Sequence, residues 1–194
     1  MSRGISGLIL AGGAGRRLGG RDKGLVMLGE RPLVAHVIAR FAPQVETLAI
    51  SANRNLADYA AFGHPVVSDA LDDAGPLAGI AVGLERAALP LLAIAPCDCP
   101  FLPLDLVARL HTALLAEHAE LACAAVGGRL QPVCALVERA LASSLRAYLA
   151  AGDRKVERWY AQHRLAIVDY PADCTDFENT NTPAELAAAA ERAA

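Results

Sequence analysis

The chain has 194 residues, of which 54% are hydrophobic and 20% charged, and its formal net charge is −3. That composition suits one sizeable core and excludes a disordered chain, and an acidic balance argues against broad nucleic-acid binding, which needs a basic face. No apolar run approaches the ~18 residues that cross a membrane, so neither nucleic acid nor a membrane is an expected partner. The apolar run from Ile5 to Ala11 breaks into glycines and arginines and reads as a first strand, not a signal peptide. The cytoplasm is the expected location. Five cysteines without a spaced framework read as reduced thiols.

In chain order, apolar runs predict strands over Gly7–Ala11, Thr47–Ser51, Pro65–Asp69, Leu91–Ala95, Leu121–Val126, Pro132–Val137 and Ala166–Asp169. Helical spacing predicts helices over Pro32–Phe41, Leu77–Ala88, Pro103–His118, Arg139–Ala151 and Val156–Gln162. A last helix runs over Pro183–Arg192, with Thr182 as its N-cap and Pro183 at its first position. The continuous apolar strands Leu8–Ala11 and Leu91–Ala95 imply cover on both faces. Strands alternating with helices predict an α/β fold with a doubly wound, mostly parallel sheet. No repeat or linker divides the chain, so residues 1–194 are expected to form a single domain.

Ligands of such sheets sit beyond the carboxyl ends of the strands. The polar residues predicted there are Ala11-Gly12-Gly13, then Ser51-Ala52-Asn53-Arg54, Asp69, and Pro96-Cys97-Asp98-Cys99-Pro100. After the first strand, the glycines of Gly13-Ala14-Gly15-Arg16-Arg17-Leu18-Gly19 lack the acidic residue about 20 positions on that a dinucleotide site needs. A Walker loop fails too, because Gly20 is followed by Arg21-Asp22 and Lys23 by Gly24. What remains is a glycine-rich loop carrying Arg16, Arg17, Arg21 and Lys23 against one carboxylate, Asp22. Backbone amides freed by glycine approach phosphate oxygens, and cations neutralise a polyphosphate. The basic residues comprise sixteen arginines and only two lysines, Lys23 and Lys155. A lysine in the loop supplies a compact charge where a guanidinium fork does not fit. Asp98, held at a strand end between Pro96 and Pro100, reads as a Mg²⁺ ligand in preference to a helix N-cap, a role that Asp105 can fill. The Asp153-Arg154-Lys155 segment reads as a basic contact for a second substrate or as a helix entry.

Leu10-Ala11-Gly12-Gly13, Arg17, Gly19-Gly20 and Asp22-Lys23-Gly24-Leu25 resemble the signature loop of the molybdenum cofactor guanylyltransferases. Gly75-Pro76-Leu77-Ala78-Gly79, Pro96-Cys97-Asp98-Cys99-Pro100-Phe101 and Asn179-Thr180-Asn181-Thr182-Pro183-Ala184-Glu185-Leu186 resemble the later motifs of that family, in the same order. The resemblance implies a Rossmann-like nucleotidyltransferase fold of three layers, α/β/α. It implies transfer of GMP from GTP to the phosphate of molybdopterin or its molybdenum-loaded form, with release of pyrophosphate and with Mg²⁺ as cofactor. By position, Leu10, Ala11, Gly12 and Gly13 would hold the nucleotide through the main chain, with Asn53 and Asp69 in the same pocket. Arg17 and Lys23 would bind phosphates, Asp98 would bind Mg²⁺ and nucleotide, and Asn179 and Asn181 would lie on the pterin side. Transient contacts with cofactor-delivery proteins and with molybdoenzymes are implied as well. Three alternatives stand beside this reading: a cytidylyltransferase acting on the same pterin, an NADPH-dependent reductase using the glycine pattern, and a non-catalytic GTP-binding regulator.

Overall fold

The computed structural model describes residues 4–11, 14–15, 21–69 and 75–193. Its strands are β1 (Ile5–Leu10), β2 (Thr47–Ser51), β3 (Val66–Val67), β4 (Leu91–Pro96), β5 (Leu121–Val126), β6 (Arg129–Glu138) and β7 (Leu165–Tyr170). They form one sheet in the order β7-β5-β6-β4-β1-β2-β3. β6 runs antiparallel to both neighbours, and every other pairing is parallel. The helices are α1 (Leu33–Phe41), α2 (Leu56–Ala60), α3 (Pro76–Arg86), α4 (Leu106–Ala116), α5 (Ala142–Ala150), α6 (Val156–Tyr160) and α7 (Pro183–Ala193).

Side chains alternate across the sheet and so build two cores. Ile5 and Ile9 of β1, with Ala93 and Ala95 of β4, face Val34, Val37 and Phe41 of α1 and Leu106 and Leu110 of α4. Leu8 of β1, with Leu92 and Ile94 of β4, faces Leu77, Ile80 and Leu84 of α3, Leu145 of α5 and Trp159 of α6. These three α/β/α layers give the cover on both faces expected from the apolar strands and the Rossmann-like architecture that the resemblance implies. A third, smaller core packs Ala189 of α7 against Val26, Leu28 and Leu33.

Several element boundaries differ from the sequence reading, each for a local reason. The strand expected over Pro65–Asp69 is reduced to Val66–Val67. Beyond it the Ser68 hydroxyl donates to the Ala52 carbonyl (2.8 Å) and the Asp69 N–H to Asn53 Oδ1 (3.0 Å), so side chains replace the ladder. The helix expected over Pro103–His118 spans Leu106–Ala116, with Asp105 at the N-cap position and His118 in the left-handed region (φ 49°) just past its end. The strand expected from Pro132 begins at Arg129, and its register shifts between Gln131 and Ala135. Pro132 has no N–H for the ladder, which makes a bulge the natural place for it inside a central strand. Helix α2 was not anticipated: five residues after Asn55 (φ 53°) carry too little periodicity to register.

Gly7 sits where α1 and the following turn press on β1. A Cβ there would lie 2.8 Å from Val45 Cγ2, 3.0 Å from Leu48 Cδ1 and 3.2 Å from Phe41 Cε1. Replacing Gly7 with alanine is expected to lower the free energy of unfolding by about 1–3 kcal/mol through overpacking. Denaturant unfolding of the two proteins checks this, and equal midpoints would contradict the close packing described.

Candidate active site

Parallel pairing brings the carboxyl ends of β1, β2 and β4 level. The Ala11 N–H donates to the Ser51 carbonyl (2.8 Å) and the Cys97 N–H to the Leu10 carbonyl (3.0 Å). Past this edge lies a cleft of about 560 Å³. Leu10, Ala11, Asn53, Asp69, Lys23 and Asp98 line it, as Asn179 does, so seven residues picked out from sequence meet in one place. Gly12, Gly13 and Arg17 lie outside the described residues. The N-terminus of α3 joins the wall: Gly75, in a positive-φ conformation (57°), leads into Pro76 at the first helical position, and both line the cleft with Gly79. A Cβ on Gly79 would lie 2.6 Å from Ser51 Oγ, so that helix approaches β2 closely.

Asp98 occupies the turn after β4 and is 6% exposed. Its Oδ2 forms an ion pair with Lys23 Nζ. Removing a carboxylate from water is costly unless it is paired, and the lysine supplies the pairing here. The Asp98 carbonyl accepts from the Thr180 N–H (2.9 Å), which ties the loop carrying Asn179 to the same turn. Next to it, the Cys99 thiol donates to Asn179 Oδ1 (2.9 Å) and lies 3.5 Å from the Phe177 carbonyl oxygen. Burial pushes the Cys97 and Cys99 thiols up from their ordinary values, and for Cys97 the neighbouring Asp98 charge adds to the rise. Both are therefore held as neutral thiols and are poor nucleophiles.

Asn179 also lines two further clefts, of about 390 and 620 Å³. Arg129 and Gln131 are common to both of these, while Pro96 and Val133 join the smaller one to the first cleft. The bulge at Pro132 thus turns Val133 and Gln131 towards neighbouring clefts, a role that the sequence reading missed. Asn181 lines only the largest of the three. Its N–H donates to Glu185 Oε2 (2.6 Å), which also accepts from the Thr182 N–H, while Thr182 Oγ1 accepts from the Glu185 N–H. This is a capping box at the start of α7, with Thr182 as expected. The Asn181 N–H holds the Glu185 carboxyl below its ordinary range.

Two expectations change. The Gly24 N–H does not open towards a ligand: it donates to Asp22 Oδ1 (3.3 Å), and Gly24 is buried. Asp153, Arg154 and Lys155 line none of the three clefts; Asp153 pairs with Arg158 (2.9 Å), and Arg154 Nη1 donates to the Leu149 carbonyl (2.8 Å). The segment is the entry to α6, the second of the two readings.

An open cleft at the ends of parallel strands is where sheets of this kind take their ligands, and Lys23 and Asp98 lie in it. Residues 7–167 match the model of the MobA-like NTP transferase domain. Two relatives, each called molybdenum cofactor guanylyltransferase, extend the match: the protein of Cupriavidus taiwanensis is 52% identical over 190 residues (95% of this chain and 95% of that one), and the protein of Shewanella loihica is 47% identical over 186 residues (94% of each). The chain therefore belongs to the molybdenum cofactor guanylyltransferase family. The crystal structure of molybdopterin-guanine dinucleotide biosynthesis protein A from Archaeoglobus fulgidus shares the fold, with a TM-score of 0.79 at 22% identity over 97% of this chain and 98% of that one. Among the described residues no helix is long and apolar enough to cross a membrane.

Cys97, Cys99, Cys123 and Cys134 are buried, and Cys174 is half-buried. Burial also pushes the Cys123 thiol up to about 12. A thiol-reactive chromogenic disulfide at neutral pH is expected to titrate one cysteine of the native chain quickly, Cys174, and all five only after denaturation. Fast reaction of a second thiol in the native protein would contradict this placement.

Proposed function

We propose that residues 1–194 form a single nucleotidyltransferase domain that transfers GMP from GTP to the phosphate of molybdopterin or its molybdenum-loaded form, releasing pyrophosphate. The observation that carries this reading is the Lys23–Asp98 pair, set in the cleft at the ends of β1, β2 and β4. The relatives named for that reaction, at 47% and 52% identity over nearly the full chain, support the choice of GTP and of the pterin.

In this reading the main chain at Leu10, Ala11, Gly12 and Gly13 borders the nucleotide, with Asn53 and Asp69 in the same pocket. Lys23 and Arg17 take the phosphates. The acceptor occupies the adjoining clefts, where Asn179 faces both substrates and Asn181 faces the acceptor alone. The second ionisation of a phosphate monoester lies near pH 6, roughly, so the attacking oxygen is already anionic at neutral pH. No protein base is needed. The chain's contribution is to align the two phosphates for in-line displacement at the α-phosphorus and to neutralise their charge.

The donor set suits a magnesium ion, a hard cation that takes one or two carboxylates and completes its shell with phosphate oxygens and water. Asp98 would hold it, and when bound it would supply neutralisation of charge on the phosphates. The Lys23 ammonium, paired with Asp98, would exchange that partner for phosphate as charge develops on the departing pyrophosphate. The reaction belongs in the cytoplasm, with transient contacts to proteins that deliver the cofactor and to molybdoenzymes that receive it.

Pyrophosphate release from GTP with magnesium, measured with and without molybdopterin, tests the reading. Release is expected only with the pterin and in preference to release from CTP. GTP binding without release would make the protein a regulator, and no GTP binding would sink the assignment. Asp98→Ala and Lys23→Ala are each expected to lower kcat by about 10²-fold or more, as the loss of a charge-stabilising group does, with the fold retained by circular dichroism.

A further inference from the structure

Asp22 precedes Lys23 and is itself buried, with only 7% of its surface exposed. A carboxylate in that position needs partners, and the structure supplies four: three hydrogen-bond donors and one ion-pair cation. The Tyr59 hydroxyl donates to Oδ1 at 2.5 Å and the Gly24 N–H to the same oxygen at 3.3 Å. Asn55 Nδ2 donates to Oδ2 at 3.0 Å, and Arg54 Nε lies 3.3 Å from it. Three of the four come from the segment that follows β2 and opens into α2, more than thirty residues away along the chain. Tyr59 is fully buried. Its hydroxyl lies where a side chain on residue 24 would stand, since a Cβ on Gly24 would be 2.5 Å from Tyr59 Oη.

Asp22 is also the N-cap of the 3₁₀ turn Lys23–Leu25. The same residue pairs with Ala14 at the end of the short ribbon formed by Ala14–Gly15 and Arg21–Asp22. Its carboxylate thus fixes the backbone from which the Lys23 side chain departs towards Asp98. We infer that Asp22, clamped by Tyr59, is the positioning residue of the phosphate-binding lysine: the clamp holds the Lys23 ammonium at the Asp98 carboxylate before substrate arrives, and Gly24 is glycine because the tyrosine hydroxyl needs the space. The inference rests on the proposed role of Lys23 only for its effect on turnover, not for the geometry.

The chain's two lysines allow the geometry to be read directly. Lys155 is exposed, whereas the Lys23 side chain is 19% exposed and ion-paired. Reductive methylation of the full-length protein, followed by peptide mass spectrometry, gives the ratio of the two rates with Lys155 as internal reference. Tyr59→Phe removes one hydroxyl and keeps the ring, so the fold should persist. Losing a hydrogen bond to a charged group corresponds to about tenfold in a local equilibrium, so the Lys23/Lys155 ratio is expected to rise by about tenfold in Tyr59→Phe, and at least as far in Gly24→Ala. A tyrosine that merely anchors α2 would lower the melting temperature and leave the ratio unchanged, and that result overturns the inference.

Turnover supplies a second readout. Tyr59→Phe is expected to lower kcat for pyrophosphate release by about tenfold, yet to have no further effect in a Lys23→Ala background. Losses that multiply in the double variant would show that the clamp acts elsewhere than on Lys23, against the proposal. A raised methylation ratio combined with full activity of Lys23→Ala would leave the clamp standing and refute instead the catalytic role proposed for the lysine.

Discussion

Burial of β1 and β4 on both faces is the constraint from which the rest follows. Strands whose side chains are almost all apolar must be covered by helices on either side, which leaves their ends as the main place for polar groups. Because β1 and β4 are parallel and in register from Ile5↔Leu91 to Leu10↔Pro96, their polar ends arrive at the same edge. Glycine at position 7 lets α1 close on one face, and Gly83, whose Cβ would lie 2.5 Å from Leu8 Cδ2, lets α3 close on the other. The cleft at that edge is therefore a consequence of core packing. The strands beneath its rim are packed on both sides.

Charge is concentrated at this rim against its natural cost. Asp22 and Asp98 are both buried carboxylates, and each is compensated by a cation: Asp98 by Lys23, and Asp22 by Arg54 together with neutral donors. A half-compensated pair of this kind is worth little for stability, since the desolvation penalty offsets the attraction. Its value lies in order. Both carboxylates are held by partners, and in the proposed function a phosphate entering the cleft would meet groups already arranged.

The side of the site around Asn179 is built differently. Asn179 stands where three clefts meet, its amide oxygen accepting from the Cys99 thiol and the next residue's N–H donating to the Asp98 carbonyl. The loop before α7 is thus stitched to the turn that bears Asp98. Arg192 of α7 closes the other end of that loop, reaching the Thr175 carbonyl at 3.1 Å and standing over the Phe101 ring at 4.1 Å. The two halves of the site are in this way parts of one polar network.

Much of this was legible in the amino-acid sequence. Unbroken apolar runs at 8–11 and 91–95 implied strands covered on both sides, the strand ends pointed to Asn53, Asp69 and Asp98, and Thr182-Pro183 marked the start of α7, because these signals are local and rest on periodicity, capping and turn chemistry. The direction of β6, the bulge at Pro132, the short helix α2, the clamp on Asp22 and the meeting of three clefts at Asn179 were decided by tertiary structure alone. The Tyr59–Asp22 and Cys99–Asn179 contacts join residues 37 and 80 positions apart, and nothing in either local segment names its partner. A glycine followed by a buried tyrosine far along the chain has no periodic signature. The pairing emerges only when the sheet has brought the ends of β1, β2 and β4 to one edge, where buried polar groups must find partners.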